Sequence, residues 1–288
     1  MAATGRSEYC PKCRNVVPET ERHCPACMYD LGAPNVREIA SSKEVAALRK
    51  RAFAEFEVAK KRGYSRSIQD FSDSVKKKSA VVVSMPAAVA RRLVSDPRMV
   101  FEGYEELVGA GRRTAADRVN DRHRVGVSGL LFGTYGSKIR YGVLSLMTRG
   151  LRAYGDVACR MQNVAIQDRV SFLECNSYGF VEAHKLRPGT PIPEGYRAVW
   201  NNRHLLAVAK LGSRIVGGGG EEDWQNLLLL DAFDRKVDDF IEAHIYESFT
   251  VNAVEEMVAL PGRSRDKDVL LDVDIALEKF ANIKRQRR

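Results

Sequence analysis

Ile139-Arg140-Tyr141-Gly142-Val143-Leu144-Ser145-Leu146 is a short apolar run with β-branched and aromatic residues, and it reads as a strand. Comparable runs lie at 156–161, 171–174, 197–200, 241–246 and 257–260, set apart by Gly, Pro, Asn and Asp. Upstream, 80–84 reads as a buried strand. Ser84-Met85-Pro86 then opens a helix through Val94, since proline suits a first helical turn. The spacing of Ile39, Val45, Leu48, Ala52, Phe56 and Ala59 predicts one amphipathic helix over 36–62, followed by a shorter one over 68–75. Two more helices are expected at 227–240 and 251–257. Strands outnumber helices in the C-terminal half, no internal repeat is visible, and the class is α+β.

The first thirty residues carry a different pattern. Cys10-Pro11-Lys12-Cys13 and Cys24-Pro25-Ala26-Cys27 are two Cys-x-x-Cys pairs ten residues apart. Each spacing lets one tight turn aim two thiolates at a single ion, and two turns supply the four sulfurs of a closed tetrahedral zinc site. The stretch resembles the short zinc-ribbon family, with Tyr9 as the aromatic ahead of the first pair and Arg14 and Met28 where that family has glycine. His23 is read as a packing ring and not as a ligand. A closed site has no open coordination position, so Zn2+ held by Cys10, Cys13, Cys24 and Cys27 is structural. The other two cysteines, Cys159 and Cys175, fall in expected strands and read as core.

Lys plus Arg number 46 against 37 Asp plus Glu among 288 residues, a formal net charge of +9 and a pI near 9.3. Hydrophobic residues at 44% and charged residues at 29% exclude a disordered chain and allow a sizeable core. The longest apolar runs, 80–83 and 227–230, fall far short of the about 18 residues needed to span a bilayer. No hydrophobic stretch precedes Cys10, so no secretory leader is expected and the chain reads as cytoplasmic. Arg49, Lys50, Arg51, Lys60, Lys61 and Arg62 sit on the polar face of the first helix, with Lys76-Lys77-Lys78 and Lys284-Arg285-Gln286-Arg287-Arg288 further on. Such charge is either a solvated face or a nucleic-acid footprint. Gly217-Gly218-Gly219-Gly220 precedes Glu221, Glu222 and Asp223, which would repel a phosphate, so it reads as a loop. These shifts divide the chain into a ribbon at 1–33, a basic helical linker at 34–79 and a main domain at 80–288.

Three pieces of the main domain share an order. Arg140-Tyr141-Gly142 lies on a strand, Gly150-Leu151-Arg152-Ala153-Tyr154-Gly155-Asp156-Val157 follows it, and Phe240-Ile241-Glu242-Ala243-His244-Ile245-Tyr246 comes late. Together they resemble the ADP-ribosyltransferase superfamily over roughly residues 80–265. In that superfamily a first strand carries His-Gly, Tyr-Gly or Arg-Gly, an aromatic follows, and a late strand carries a glutamate. The middle piece and the Glu242 to Tyr246 strand look most like the poly-ADP-ribose polymerase branch, and both strands are also similar to a bacterial family of transferase-like proteins. The resemblance implies a split β-sheet core with helices and an NAD-dependent transfer of ADP-ribose. It makes Glu242 the catalytic residue, ahead of Glu247, and makes Arg140, Tyr141, Gly142 and Tyr154 the cofactor-binding residues.

The chemistry agrees with those residue types. Breaking the bond between nicotinamide and ribose leaves positive charge on the sugar, which a carboxylate stabilises most in the transition state. Glu242 would act there, Tyr141 and Tyr154 would sandwich the nicotinamide, Gly142 would let the cofactor approach, and Arg140 would pair with the pyrophosphate. Each has a plainer reading: Glu242 as a solvent-facing strand residue, the tyrosines as core, Arg140 as a surface cation, His244 as structural. Tyr141 stands where elongating members carry histidine, and Phe240 stands where arginine-specific toxins carry a second glutamate, so arginine is a doubtful acceptor. The ribbon and basic clusters favour nucleic acid as acceptor, RNA over DNA, with Asn201, Asn202 and Arg203 as base readers. By analogy such an enzyme would be a toxin held by an antitoxin, or an effector against phage. The alternative is a zinc-ribbon nucleic-acid-binding protein with a degenerate, non-catalytic transferase fold.

Overall fold

The computed structural model describes residues 8–103, 118–260, 267–280 and 282–286; the Arg287-Arg288 tail lies outside them. Two-residue strands β1 (Glu8–Tyr9) and β2 (Val16–Val17) form the ribbon hairpin. Helices α1 (Pro34–Ile39), α2 (Ser42–Lys61) and α3 (Ser65–Lys78) follow, so the helix expected over 36–62 is two, broken at Ala40-Ser41, where Ser41 caps α2 through the Glu44 N–H. Then come β3 (Ala80–Met85), α4 (Ala87–Ser95), β4 (Val100–Phe101), α5 (Arg118–Phe132), β5 (Ile139–Ser145), β6 (Val157–Met161), α6 (Asn163–Ile166) and β7 (Val170–Leu173). The rest is α7 (Ser177–Ala183), β8 (Arg197–Val199), α8 (Arg203–Leu211), α9 (Glu221–Leu228), β9 (Leu229–Leu230), β10 (Asp239–Phe240), β11 (Glu242–Tyr246), β12 (Phe249–Thr250), β13 (Val254–Ala259), α10 (Lys267–Leu277) and β14 (Lys284–Gln286).

The fold is α+β. Eight strands form one continuous sheet in the order β14-β13-β6-β3-β5-β11-β7-β8, antiparallel except for the β13–β14 pair. The split expected in the core is bridged by the β5–β11 ladder, which pairs five residues of each strand. Neither of the last two expected helices forms. In 227–240 the chain leaves α9 and makes a β9–β10 hairpin. Its connecting loop is held by Asp231, Asp234 and Asp238, whose carboxylates accept the N–H groups of Phe233, Lys236 and Ala232. Asp side chains that bond nearby backbone in this way compete with a helix. In 251–257 a short 3₁₀ turn feeds β13, whose Val254 and Val258 pack into the sheet beside β6.

One face of the sheet carries the main core. Val81, Val83, Leu144, Phe172, Ala243 and Ile245 pack there with Leu48 and Ala52 of α2, Ile68 and Phe71 of α3, and Leu206 and Leu211 of α8. Segment 34–79 is therefore part of the main domain and not a linker. Its tie to β8 is ionic: Glu44, buried, accepts from the Gly195 N–H at 2.9 Å and the Arg197 N–H at 3.2 Å, and meets the Arg197 guanidinium at 3.2 Å. Removing one partner of a buried pair leaves the other uncompensated. Glu44→Ala is expected to lower unfolding free energy by about 3 kcal/mol in chemical denaturation, whereas a linker residue would shift it by less than about 0.5 kcal/mol.

Candidate functional site

Side chains alternate along each strand, so register decides which residues share a face. His244 pairs with Tyr141 on one side and Ser171 on the other, and Glu242 pairs with Val143 and Leu173. These six point to the face opposite the main core. Two separate apolar clusters cover that face. One gathers Phe132, Tyr135, Leu173, Phe180 and Tyr246, the other Val82, Val143, Leu151, Leu229 and Phe240 with Tyr154 against it. Glu242, with Val143 of one cluster on one side and Leu173 of the other on its far side, marks the seam.

Glu242 is 6% exposed and His244 3%. The Glu242 Oε2 accepts from the Ser177 N–H at 2.8 Å and from the Ser177 hydroxyl, and lies 3.0 Å from His244 Nε2. Ser177 Oγ is itself 3.2 Å from that same nitrogen. Hydroxyl and carboxylate therefore share one ring nitrogen. An acyl-transfer relay needs the carboxylate on the far nitrogen of the imidazole, so this trio holds a carboxylate in place and is no serine nucleophile with its base. Asn176 caps α7 by accepting from the Tyr178 N–H at 2.9 Å, which fixes Ser177 as its first residue. Asn35 steadies the strand from the same face, donating to Ser171 Oγ and to the His244 carbonyl, both at 2.9 Å.

The two tyrosines join this seam. Tyr141, 39% exposed, meets the His244 ring edge-on with centroids 5.4 Å apart. Tyr154 stands edge-on to Phe240 at 6.4 Å, receives the Asn176 amide on its hydroxyl at 3.4 Å, and carries the Arg235 guanidinium 4.8 Å from its ring centre.

Arg140 and Gly142 belong to the other face. Arg140 is buried and donates to the Ser137 and Ile139 carbonyls and to Ser248 Oγ. Strand alternation turns it away from Glu242, which removes it from the expected pyrophosphate role. A Cβ at Gly142 would lie 2.8 Å from Val81 Cγ1 and 2.9 Å from the Val82 carbonyl, so glycine there lets β3 and β5 approach and makes no room for a cofactor. Arg203, expected to read bases, is also internal: it donates to Ser79 Oγ and to the Trp200 and Lys76 carbonyls and lies 3.8 Å from the centre of the Trp200 ring. Burial pushes the Cys159 thiol up to about 12 and the Cys175 thiol up to about 11, which keeps both protonated near neutral pH. Ser177 and Asn35 were not visible beforehand, being 65 and 209 residues from their partners on β11. The one local signal was Asn176 directly after an expected strand, a common helix cap.

The four ribbon cysteines converge. Their sulfurs lie within 4.8 Å of one another, with Cys10–Cys27 at 3.7 Å and Cys13–Cys24 at 3.5 Å. A zinc–sulfur bond of about 2.3 Å gives tetrahedral edges of about 3.8 Å, so the set fits a structural zinc ion. Burial raises the Cys10 thiol, but backbone N–H groups of Cys13 and Lys12 outweigh it and bring the group down to about 7. The Arg14 and Met28 N–H groups close the knuckles onto the Cys10 and Cys24 carbonyls at 2.9 and 2.8 Å. Both residues take the left-handed conformation that glycine would supply, with φ of 62° and 56°. The ribbon also docks: Tyr246 donates to the Thr20 carbonyl at 2.7 Å, and Arg22 pairs with Asp168 at 2.7 Å.

No family model matches this chain, and no curated protein matches it in sequence. Among the described residues, no helix is long and apolar enough to cross a membrane.

Metal analysis is expected to find one zinc per chain in the native protein and none after Cys10→Ser with Cys24→Ser. Met28→Gly, which removes an exposed side chain from a left-handed position, is expected to raise the stability of the zinc-loaded ribbon by about 1 kcal/mol, read by chelator competition.

Proposed function

We propose that this chain is an NAD-dependent ADP-ribosyltransferase built on a transferase-like fold, with Glu242 as its catalytic carboxylate and nucleic acid, RNA before DNA, as its acceptor. The observation that carries the reading is the placement of Glu242, fixed by Ser177 and His244, on the same sheet face as Tyr141, with Tyr154 held by Asn176, the residue before Ser177. In the transfer, the bond from the nicotinamide nitrogen to the ribose C1′ breaks, the electron pair leaves with neutral nicotinamide, and an acceptor oxygen or nitrogen forms the new bond to C1′ and gives up its proton. Charge develops on the sugar, and a carboxylate at the 2′-hydroxyl answers it. All three protein contacts fall on Oε2, which leaves Oε1 for that hydroxyl. Tyr141 and Tyr154 would flank the nicotinamide. Ser177 and His244 are positioning residues that keep the carboxylate from rotating. An enzyme of this kind acting inside its own cell needs restraint, which fits a toxin with an antitoxin.

The test is nicotinamide release from labelled NAD in the presence of cell extract, with label then traced by nuclease or protease digestion. Glu242→Gln is expected to retain NAD binding and lose turnover by about 10²-fold or more. Absence of release from the native protein would favour a non-catalytic binding protein.

A further inference from the structure

The outer face of α2 is a cationic stripe. At 3.6 residues per turn, Lys43, Arg49, Lys50, Phe53, Lys60 and Lys61 fall within an arc of about 120°, opposite the edge through which Leu48, Ala52 and Ala59 enter the core. From Lys43 to Lys61 the stripe runs about 27 Å along the helix at 1.5 Å per residue. All five cations are exposed, and among the described residues none makes an ion pair or a side-chain hydrogen bond. Glu57 is the one carboxylate on this arc. Phe53, 64% exposed, stands in the middle with cations on either side.

The neighbouring basic clusters differ, because apart from Lys76 their charge is already used. Arg51 pairs with Glu174 at 2.7 Å and donates to the Gly195 carbonyl, Arg62 donates to the Ser213 carbonyl, and Lys78 meets Glu221 at 2.5 Å. Lys77 lies 4.0 Å from Asp73. Lys76 of α3 apart, the unspent lysine charge of 34–79 is thus confined to one line.

We infer that this stripe is a docking track for single-stranded nucleic acid, with the cations following the phosphates and Phe53 stacking an unpaired base. Five unneutralised cations in a row suit a polyanion, and an isolated exposed aromatic ring among them suits the flat face of a base, the combination that non-specific single-strand binders use. The length suits roughly four or five nucleotides, within the range of such modules. A membrane surface would call for a continuous apolar face, and this arc has one aromatic residue. The inference extends the nucleic-acid half of the proposed function and does not depend on Glu242.

The test uses the full chain and a fluorescent 15-nucleotide oligouridylate, with binding followed by anisotropy across salt concentrations. Joint Arg49→Gln, Lys50→Gln, Lys60→Gln and Lys61→Gln substitution is expected to weaken binding by about 10²-fold or more at 0.1 M salt. The slope of log K against log salt should fall by about 3. Phe53→Ala should weaken binding about tenfold with the slope unchanged, and Phe53→Trp should restore it. Lys77→Gln with Lys78→Gln, whose charges already meet Asp73 and Glu221, should leave binding as it was. Melting curves check the fold, and if the fourfold variant melts early, Arg49→Gln with Lys50→Gln takes its place, with about half the effect. Binding insensitive to the stripe charges, or to Phe53, overturns the inference. So does a stripe that binds polyglutamate and not oligouridylate, which would mark an acidic protein partner. Nicotinamide release without acceptor should be equal in all these variants. Its absence from the native protein counts against the Glu242 reading alone, whereas indifference of oligouridylate binding to these substitutions counts against the stripe alone.

Discussion

Glu242 and His244 sit two residues apart on a strand with neighbours on both sides, and both are nearly shut off from solvent. A carboxylate in that position is tolerable only with donors aimed at it. Much of the surrounding architecture supplies them. The turn after β7 is capped by Asn176 so that Ser177 presents both its N–H and its hydroxyl to Oε2, and α1 packs on the same face of the sheet so that Asn35 reaches the His244 carbonyl. Phe132 and Tyr141 close over the imidazole edge-on. The polar trio is thus satisfied within the protein, and the seam between the two apolar clusters falls where those polar side chains interrupt the hydrophobic cover.

The parts of this arrangement that rest on local pattern were legible beforehand. Ala80–Met85 and Ile139–Ser145 are strands in the middle of the sheet and read as near-continuous apolar runs, and the paired cysteines announce their cluster by spacing alone. Patterns that admit two answers were misread. Residues 227–240 have helical composition, but the aspartates take the local N–H groups into turns, and Phe233 adopts a φ of 62° that no helix contains. Arg140 and Gly142 flank Tyr141 in sequence, and one step along a strand is enough to send a side chain to the other face. Arg203, expected among the base readers, is a buried tie among Ser79, Trp200 and Lys76. The charge pattern marks α2 as basic, but only the ion pairs show which of its cations are already spent.

The ribbon is less independent than its size suggests. A closed metal site of thirty residues is able to fold on its own cross-link, yet Tyr246 and Asp168 reach into it from the sheet, and Ala33 at its end packs with the cluster around Phe132. Arg14 and Met28 hold left-handed backbone without the glycine that relieves it, a strain that the four sulfurs and the knuckle hydrogen bonds together outweigh.

The contacts that make the site span long stretches of chain: 65 residues from Ser177 to Glu242, 209 from Asn35 to His244, and 226 from Thr20 to Tyr246. Closing loops of that size is entropically costly and comes late in folding. A chain leaving the ribosome holds its ribbon and its first helices, the α2 stripe included, long before β11 emerges to insert between β5 and β7. The exposed cations of α2 are thus present early, while Glu242 meets Ser177 and its strand neighbours only among the last steps of synthesis, so the growing polypeptide passes through an extended period in which its charge is displayed before its central sheet is closed.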